Sequence, residues 1–303
     1  MPIAVAAPPQ PVQVYSGFDY VSIDEARHRV FAAHTTSKRL LIVDATTGAV
    51  SGQVEVGPMH GNAVDPATGD VFTGDGTDQS LSKVDPVAMK VLASVDVPGN
   101  IDAITYDAKR GRVYADQDGG ADVYVIDGAT MKLIGTIAMP ADDLESPAVD
   151  PATGTLYQNL ANGGGFAIVD TSAMKVVKVV KTPQLQDNHP LLFSAAANQV
   201  IVGGENGKLS AYTPDGTLVG TADAQVHVDQ CSTGSKGRLA VCAGKGVVTV
   251  YALQSGSAPK QVGLLDTGHA GIHTAGIDES TGDVWVVWSD TKGDWVQRLK
   301  FTP

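Results

Sequence analysis

Four of the seven histidines in the chain share one place in a recurring pattern, five residues before a short turn. In the other repeats the same place carries an acidic residue. In chain order these positions are Asp19, His60, Asp102, Glu145, His189, His227 and His273. All seven side chains are ionisable, and they differ while the residues around them stay alike. Common descent of the repeats therefore does not explain the set.

Imidazole nitrogen is a ligand of Zn, Fe, Cu and Ni. We therefore expect a divalent transition metal ion, of open identity, to be bound by His60, His189, His227 and His273. Glu145, Asp102 and Asp19 are expected to have catalytic roles, either orienting imidazole N–H groups or acting as general acid or base beside the ion. The alternative is a polar, water-filled opening that binds no ligand.

Two further histidines need a separate interpretation. His34 follows the first turn position by ten residues, which predicts a place on the rim of the same face, and we add it to the catalytic candidates. His269 lies in a loop four residues before His273. It is either a fifth ligand or a solvated loop histidine, and the second interpretation is favoured.

The repeat that carries these residues has a period near 43. The turn positions are Asp24, Asp65, Asp107, Asp150, Ser194, Ser232 and Asp278. Residues 65–69, Asp-Pro-Ala-Thr-Gly, recur letter for letter at 150–154. The seven ring candidates are 41, 42, 43, 44, 38 and 46 residues apart. In the sixth repeat the turn 232–239 is longer than its relatives, so the placement of His227 depends on the alignment chosen.

Short alternating apolar runs between Gly, Asp and Thr turns at this period predict four-stranded propeller blades rather than paired helices. Seven such units fill the chain, which predicts an all-β, seven-bladed β-propeller forming a single domain over 1–303. We expect residues 1–10 to be a disordered tail. We expect the strand 11–16 to complete the last blade, so that the inner strands line a central channel and the seven ionisable residues ring its mouth.

All seven repeats carry a family likeness, which is strong in the first four and weak in the fifth and sixth. Residues 29–34, Arg-Val-Phe-Ala-Ala-His, followed by 39–48, Arg-Leu-Leu-Ile-Val-Asp-Ala-Thr-Thr-Gly, resemble the YVTN-type β-propeller repeat. The resemblance implies a seven-bladed propeller of lactonase or streptogramin-lyase-like architecture, often exported. It implies no single activity, because such propellers include binding proteins as well as enzymes. His34 and Asp75 stand where the repeat usually has Asn.

Charge and composition exclude several classes of protein. A net charge of -12 argues against nucleic acid or an anionic membrane as partner. The segment 1–10 is too short for a signal peptide and suggests a mature N-terminus, so we expect a periplasmic or secreted protein. Cys231 and Cys242 either form a disulfide or remain two buried thiols. Simple hairpin pairing places them diagonally, which favours free thiols.

The function expected from these observations is a metal-dependent lyase or hydrolase at the channel mouth. Its substrate would be a small ester, lactone or sugar acid, and we expect a monomer. One alternative is a non-catalytic binding scaffold. Another is a four-histidine non-haem iron oxygenase, since carotenoid-cleaving dioxygenases place four histidines on a seven-bladed propeller. Those chains are much longer and lack this repeat.

Overall fold

The computed structural model describes residues 3–12, 17–225 and 227–302. Within these ranges the chain forms seven antiparallel sheets arranged as the blades of a propeller. The two N-terminal strands are β1 (Ile3–Val5) and β2 (Gln10–Val12). Blade one comprises β3 (Val21–Asp24), β4 (Arg29–His34), β5 (Arg39–Asp44) and β6 (Val50–Glu55).

Blades two to four follow the same order from the inner to the outer strand. Blade two comprises β7 (Asn62–Val64), β8 (Val71–Gly74), β9 (Ser80–Asp85) and β10 (Lys90–Asp96). Blade three comprises β11 (Ile101–Asp107), β12 (Arg112–Gln117), β13 (Asp122–Asp127) and β14 (Lys132–Ala138). Blade four comprises β15 (Leu144–Val149), β16 (Leu156–Leu160), β17 (Gly165–Asp170) and β18 (Lys175–Lys181).

Blades five to seven complete the ring. Blade five comprises β19 (Asn188–Ser194), β20 (Gln199–Gly204), β21 (Lys208–Tyr212) and β22 (Leu218–Asp223). Blade six comprises β23 (Gln230–Thr233), β24 (Leu239–Gly244), β25 (Val247–Ala252) and β26 (Lys260–Asp266). Blade seven contains β27 (Ala275–Asp278), β28 (Asp283–Asp290) and β29 (Gly293–Phe301).

The turn acids that mark the repeat close the hairpins through their side chains. The Asp65 carboxylate accepts the backbone N–H of Ala67 at 2.9 Å, and that of Asp150 accepts the N–H of Ala152 at 2.8 Å. Asp44, between the third and fourth strands of blade one, accepts two backbone N–H groups in the same way. A short acid that bonds the backbone two residues later is a turn signal, which is why the period is visible in the sequence.

Apolar contacts between neighbouring blades form the core. Phe72 and Leu81 of blade two pack with Val113 and Tyr124 of blade three, and all four are buried. The inner strands contact one another in order around the ring, and β27 of blade seven contacts β3 of blade one. The seven-bladed all-β prediction is confirmed. The 3₁₀ segment Gly76–Asp78 is the one helix in the described ranges, and none there is long and apolar enough to cross a bilayer.

The N-terminal segment completes blade seven, as expected, but it begins earlier than expected. β2 pairs with Asp294–Val296, and β1 pairs with Leu299–Phe301 on the same strand. The disordered tail predicted for residues 1–10 is therefore wrong for Ile3–Val5, because Ile3 is buried in the core between blades six and seven. Residues 13–16 of the predicted closing strand lie outside the described residues.

Blade six has a different register from the one predicted. Thr233 pairs with Ala240, so the turn is the six-residue segment 234–239 rather than 232–239. Gly234 occupies the position of the turn acid. A Cβ on Gly234 would lie 2.3 Å from Cγ of Glu279, so an acidic side chain has no room there. The missing acid explains the two-residue error in the sequence alignment.

The same shift decides the state of the cysteines. With the turn at 234–239, Cys231 lies directly opposite Cys242, and the two form a disulfide with 4.1 Å between their Cα atoms. The diagonal placement and the preference for free thiols were both wrong, because both assumed the turn at Ser232.

Burial of the first strand leads to a matched pair of substitutions. Ile3→Ala should lower the free energy of unfolding by about 2 kcal/mol, since it removes a buried side chain at a sheet edge. Val5→Ala on the same strand should change it by less than about 0.5 kcal/mol, since Val5 is 58% exposed. Urea unfolding followed by fluorescence measures both. Equal effects would contradict the pairing of β1 with blade seven.

The disulfide predicts a protein without free thiols after expression in an oxidising compartment. Thiol titration of denatured, unreduced protein should find none, and reduction should lower stability by about 3 kcal/mol through the short loop that the bond closes. The Cys231→Ser/Cys242→Ser variant is the control, because reductant should not change its stability. Two titratable thiols in the unreduced protein would disprove the crosslink.

Candidate functional site at the channel mouth

Backbone hydrogen bonds within a blade and to the next blade define which residue faces the channel mouth. In blade two the N–H of His60 donates to the carbonyl of Gly74 at 3.0 Å. The N–H of the next residue, Gly61, donates to the carbonyl of Asp102 in blade three at 2.8 Å. A Cβ on Gly61 would lie 2.7 Å from the backbone nitrogen of Ile104, so glycine permits this close approach of the two inner strands.

Blade six repeats this pair of bonds from a different residue. The N–H of Asp229 donates to the carbonyl of Ala243 at 3.0 Å, and the N–H of Gln230 donates to the carbonyl of His273 at 3.3 Å. Asp229 is therefore the counterpart of His60. With it, the spacings 189→229 and 229→273 become 40 and 44 residues, closer to the period than 38 and 46.

His227 is not a member of the ring. Its Nδ1 lies 3.4 Å from Oε2 of Glu205, its side chain is 43% exposed, and it is not among the residues lining the mouth cavity. The two-residue error at the blade-six turn placed it there. The structure thus brings three of the four proposed histidine ligands together and leaves the fourth outside.

The corrected ring encloses one cavity of about 240 Å³. Its members, which all line that cavity, are Asp19, His60, Asp102, Glu145, His189, Asp229 and His273. Asp118 and Asp143 add two further carboxylates to the wall, and Tyr20, Leu144 and Gln230 complete it. Around the ring, each histidine stands between two blades that contribute carboxylates.

His60 makes the shortest contacts in the ring. Its Nδ1 lies 2.7 Å from Oδ2 of Asp19 and 3.5 Å from Oδ1 of Asp102. The hydrogen bond to Asp19 raises the pKa of the His60 imidazole above 6.5 despite partial burial. The other edge of the ring packs toward Gly76, so the Nδ1 edge faces the carboxylates.

Asp19, His60 and Asp102 each offer one ligand atom within 4.8 Å of the others. Atoms that bind one Zn²⁺ at about 2.1 Å lie roughly 3–4 Å apart, so small side-chain movements would let the three share an ion. Asp19 is also oriented from behind, because its Oδ1 accepts a hydrogen bond from Nε2 of Gln230. Burial and the nearby charges of Asp19 and Asp116 raise the pKa of Asp102 well above its usual range.

Glu145 and His189, from the neighbouring blades four and five, form a second pair of side chains in the cavity wall. Nε2 of His189 lies 3.4 Å from Oε1 of Glu145 and 3.9 Å from Oδ1 of Asp229. Burial, and then the charges of neighbouring carboxylates, raises the pKa of Glu145 to about 9. Glu145 is therefore a carboxylic acid that keeps its proton at neutral pH in the metal-free protein, which suits a general acid.

A buried polar layer supports these side chains. Oδ1 of Asp116 accepts the N–H of Ala103 at 2.7 Å, and its Oδ2 accepts Nε2 of Gln158 at 3.0 Å. Burial raises the pKa of Asp116 to about 7. The Asn159 amide donates to the carbonyl of His189 at 2.8 Å and fixes the backbone there. No sequence pattern marks this layer, since its members share no repeat position with the ring.

Tyr20 forms the floor of the mouth cavity. Its hydroxyl, from blade one, is hydrogen-bonded to Oγ of Ser146 in blade four at 2.9 Å. The side chain therefore crosses the channel. Beyond it lies an inner cavity of about 510 Å³, lined by residues of all seven inner strands.

The two other histidines considered as site residues, His34 and His269, lie away from the cavity wall. His34 is completely buried, its Nε2 lies 3.0 Å from Oδ2 of Asp294, and its ring stacks on Phe18 at 4.3 Å. Burial lowers its pKa. The catalytic role predicted for His34 is therefore not supported, because its side chain packs between blades one and seven. His269 stacks on Trp288 at 4.4 Å and is not among the cavity-lining residues.

Comparisons with known proteins support the fold and leave the activity open. No family model matches the chain, and no curated protein matches it by sequence. Among solved structures, a chain of Kuenenia stuttgartiensis hydrazine synthase superposes with a TM-score of 0.81 at 14% identity. The match covers 97% of this chain and 99% of that one. At this low identity, the superposition shows only that the two chains share the propeller fold. The resemblance to the YVTN-type repeat stays a prediction.

The fold is widespread, since 1753 solved chains match it. Propellers with this architecture carry many unrelated functions, so the activity has to be argued from the site.

Glu145 gives the site a pH-dependent test in metal-free protein. Its pKa is raised in the folded state from an ordinary value of 4.5 to about 9, so the protonated form stabilises the fold. That stabilisation is complete below about pH 4.5 and is lost as the pH rises toward 9. The stability of Glu145→Gln relative to the unsubstituted protein should therefore increase across this window, as measured by thermal unfolding. Asp142→Asn, which changes an exposed carboxylate in the turn before β15, is the control. Parallel profiles for Glu145→Gln and the unsubstituted protein would contradict the shift.

Proposed function

We propose that the channel mouth is a divalent-metal centre and that the protein is a metal-dependent enzyme acting on a small ester or lactone. The observation that supports this most is the cluster of Asp19, His60 and Asp102, with three ligand atoms within 4.8 Å. A nitrogen and two carboxylate oxygens form a common ligand set for Zn²⁺ and related ions, and catalytic sites keep a further position open.

A metal ion held there would polarise a carbonyl group or lower the pKa of a bound water. The chain's own residues supply the proton transfers. His189 is the base that takes a proton from the attacking water, and Glu145 gives its proton to the departing oxygen. Because Nε2 of His189 is 3.4 Å from Glu145, the proton can return to the carboxyl group after each turnover.

The charge of the cavity narrows the substrate classes expected from the sequence. Its wall holds six carboxyl groups and three histidines, and no Lys or Arg is among the lining residues that the structure describes. A sugar acid would bring another negative charge without a basic partner. Esters and lactones are therefore favoured over sugar acids.

The four-histidine iron alternative loses its geometric support, because His227 pairs with Glu205 outside the cavity. A non-catalytic scaffold remains the competing function, in which the ring binds a cation without turnover. We also propose that the protein is exported, to the periplasm or beyond. The Cys231–Cys242 disulfide supports this, since such bonds persist in oxidising compartments.

Elemental analysis of protein purified without a histidine tag tests the metal centre. We expect about one equivalent of a transition metal, or uptake of one after reconstitution. His60→Ala and Asp102→Asn should each reduce the content to below about a tenth of an equivalent, because each removes one of three protein ligands. His227→Ala is the matched control and should keep the metal. Loss of metal in His227→Ala but not in His60→Ala would contradict the assignment.

An assay of ester and lactone hydrolysis distinguishes a catalytic protein from a non-catalytic scaffold. Metal-loaded protein should hydrolyse members of an ester and lactone panel. Glu145→Gln should retain the metal but lose about 100-fold or more in kcat, as expected for removal of a general acid. Stoichiometric metal without turnover of any panel member would favour the scaffold.

A further inference from the structure

Gln230 has an unusual environment for an amide. It is 6% exposed and lines the mouth cavity. Its Nε2 donates to Asp19, and because a carboxylate only accepts hydrogen bonds, the amide cannot be turned round. Its Oε1 is then left buried with no hydrogen-bond partner in the described part of the chain. A buried acceptor without a donor is unfavourable, and a ligand N–H that reached it would remove that cost.

The residue beside it supplies the charge that an N–H donor would need. Asp229 directly precedes the inner strand that begins at Gln230, and its Oδ1 is 3.9 Å from Nε2 of His189. It also lines the cavity with Gln230. An amide oxygen and a carboxylate on adjacent residues are both acceptors, and charge-assisted hydrogen bonds to a cation are the strongest that they can make.

The carboxyl groups of the cavity wall outnumber the positive charges of one divalent ion, so they can also balance the charge of a second cation. A divalent ion at Asp19, His60 and Asp102 offsets two of the six carboxyl groups. The proposed metal ligands come from blades one to three, whereas Asp229 and Gln230 come from blade six. An organic cation held by Asp229 and Gln230 would therefore use different ligand atoms from the metal ion, although Gln230 also contacts Asp19.

We propose that Asp229 and Gln230 form a subsite for a primary ammonium group, so that the substrate is a small ester or lactone bearing a protonated amine. The ester part of this statement rests on the proposed function; the ammonium subsite does not. One ammonium hydrogen donates to Oε1 of Gln230 and another to the carboxylate of Asp229.

Two esters of matched shape test the subsite. β-Alanine ethyl ester carries an ammonium group where ethyl hydracrylate carries a hydroxyl. Ligand-observed NMR competition on metal-loaded Glu145→Gln, which is expected to bind without turnover, gives the ratio of their affinities. We expect the cation to bind at least about tenfold more tightly, equivalent to about 1.4 kcal/mol. Adding Asp229→Asn should remove most of this preference.

Asp118→Asn in the same background is the matched control, since it removes an equal charge from the blade-three side of the cavity. It should reduce the preference much less than Asp229→Asn. A ratio near one before substitution, or equal losses in the two variants, would overturn the subsite.

Failure of the subsite and failure of the proposed function give different results. Metal binding and ester turnover with no preference for the cation would leave the enzyme and remove the subsite. A preference that depends on Asp229, in protein that binds no metal and turns over no ester, would leave the subsite and remove the enzyme.

Discussion

In blades two and six, the side chain at the channel mouth is held in place because the residue after it is bonded through its backbone to the next blade. In blade two, the bond from Gly61 to the carbonyl of Asp102 fixes the chain one residue after His60. In blade six, the bond from Gln230 to the carbonyl of His273 does the same one residue after Asp229. The ring is thus a product of backbone geometry, and residues far apart in sequence converge without any local motif.

This constraint has an electrostatic consequence. Six carboxyl groups meet in one cavity, and those that are most buried have raised pKa values, to about 9 for Glu145 and well above normal for Asp102. Protonation, histidine partners and cations are the three ways to relieve such repulsion. The protein uses the first two, and the ligand geometry around His60 suits the third. The proposals of metal binding and ammonium binding both depend on this charge balance.

The sequence predicts what local chemistry specifies. Turn acids such as Asp65 and Asp150 mark the hairpins, so the period, the number of blades and six of the seven ring positions follow from it. Prediction fails where that marker is missing. In blade six, Gly234 stands where the other blades have the acid, and a Cβ there would meet the Glu279 side chain. Without the acid, the sequence pattern misplaces His227 and separates two cysteines that are paired.

Other parts of the site depend on packing that no pattern encodes. His34 turns inward because Phe18 and Asp294 from remote segments provide a stacked ring and a carboxylate. Gln230 and Asp116 are recognisable only once neighbouring blades are in place, since their partners come from other strands.

Diffraction at a metal absorption edge would locate the ion proposed to bind at the channel mouth. Crystals grown with Zn²⁺ should show one strong anomalous peak about 2.1 Å from Nδ1 of His60 and from carboxylate oxygens of Asp19 and Asp102. A peak between His227 and Glu205 with none in the mouth, or no ordered metal at all, would contradict it.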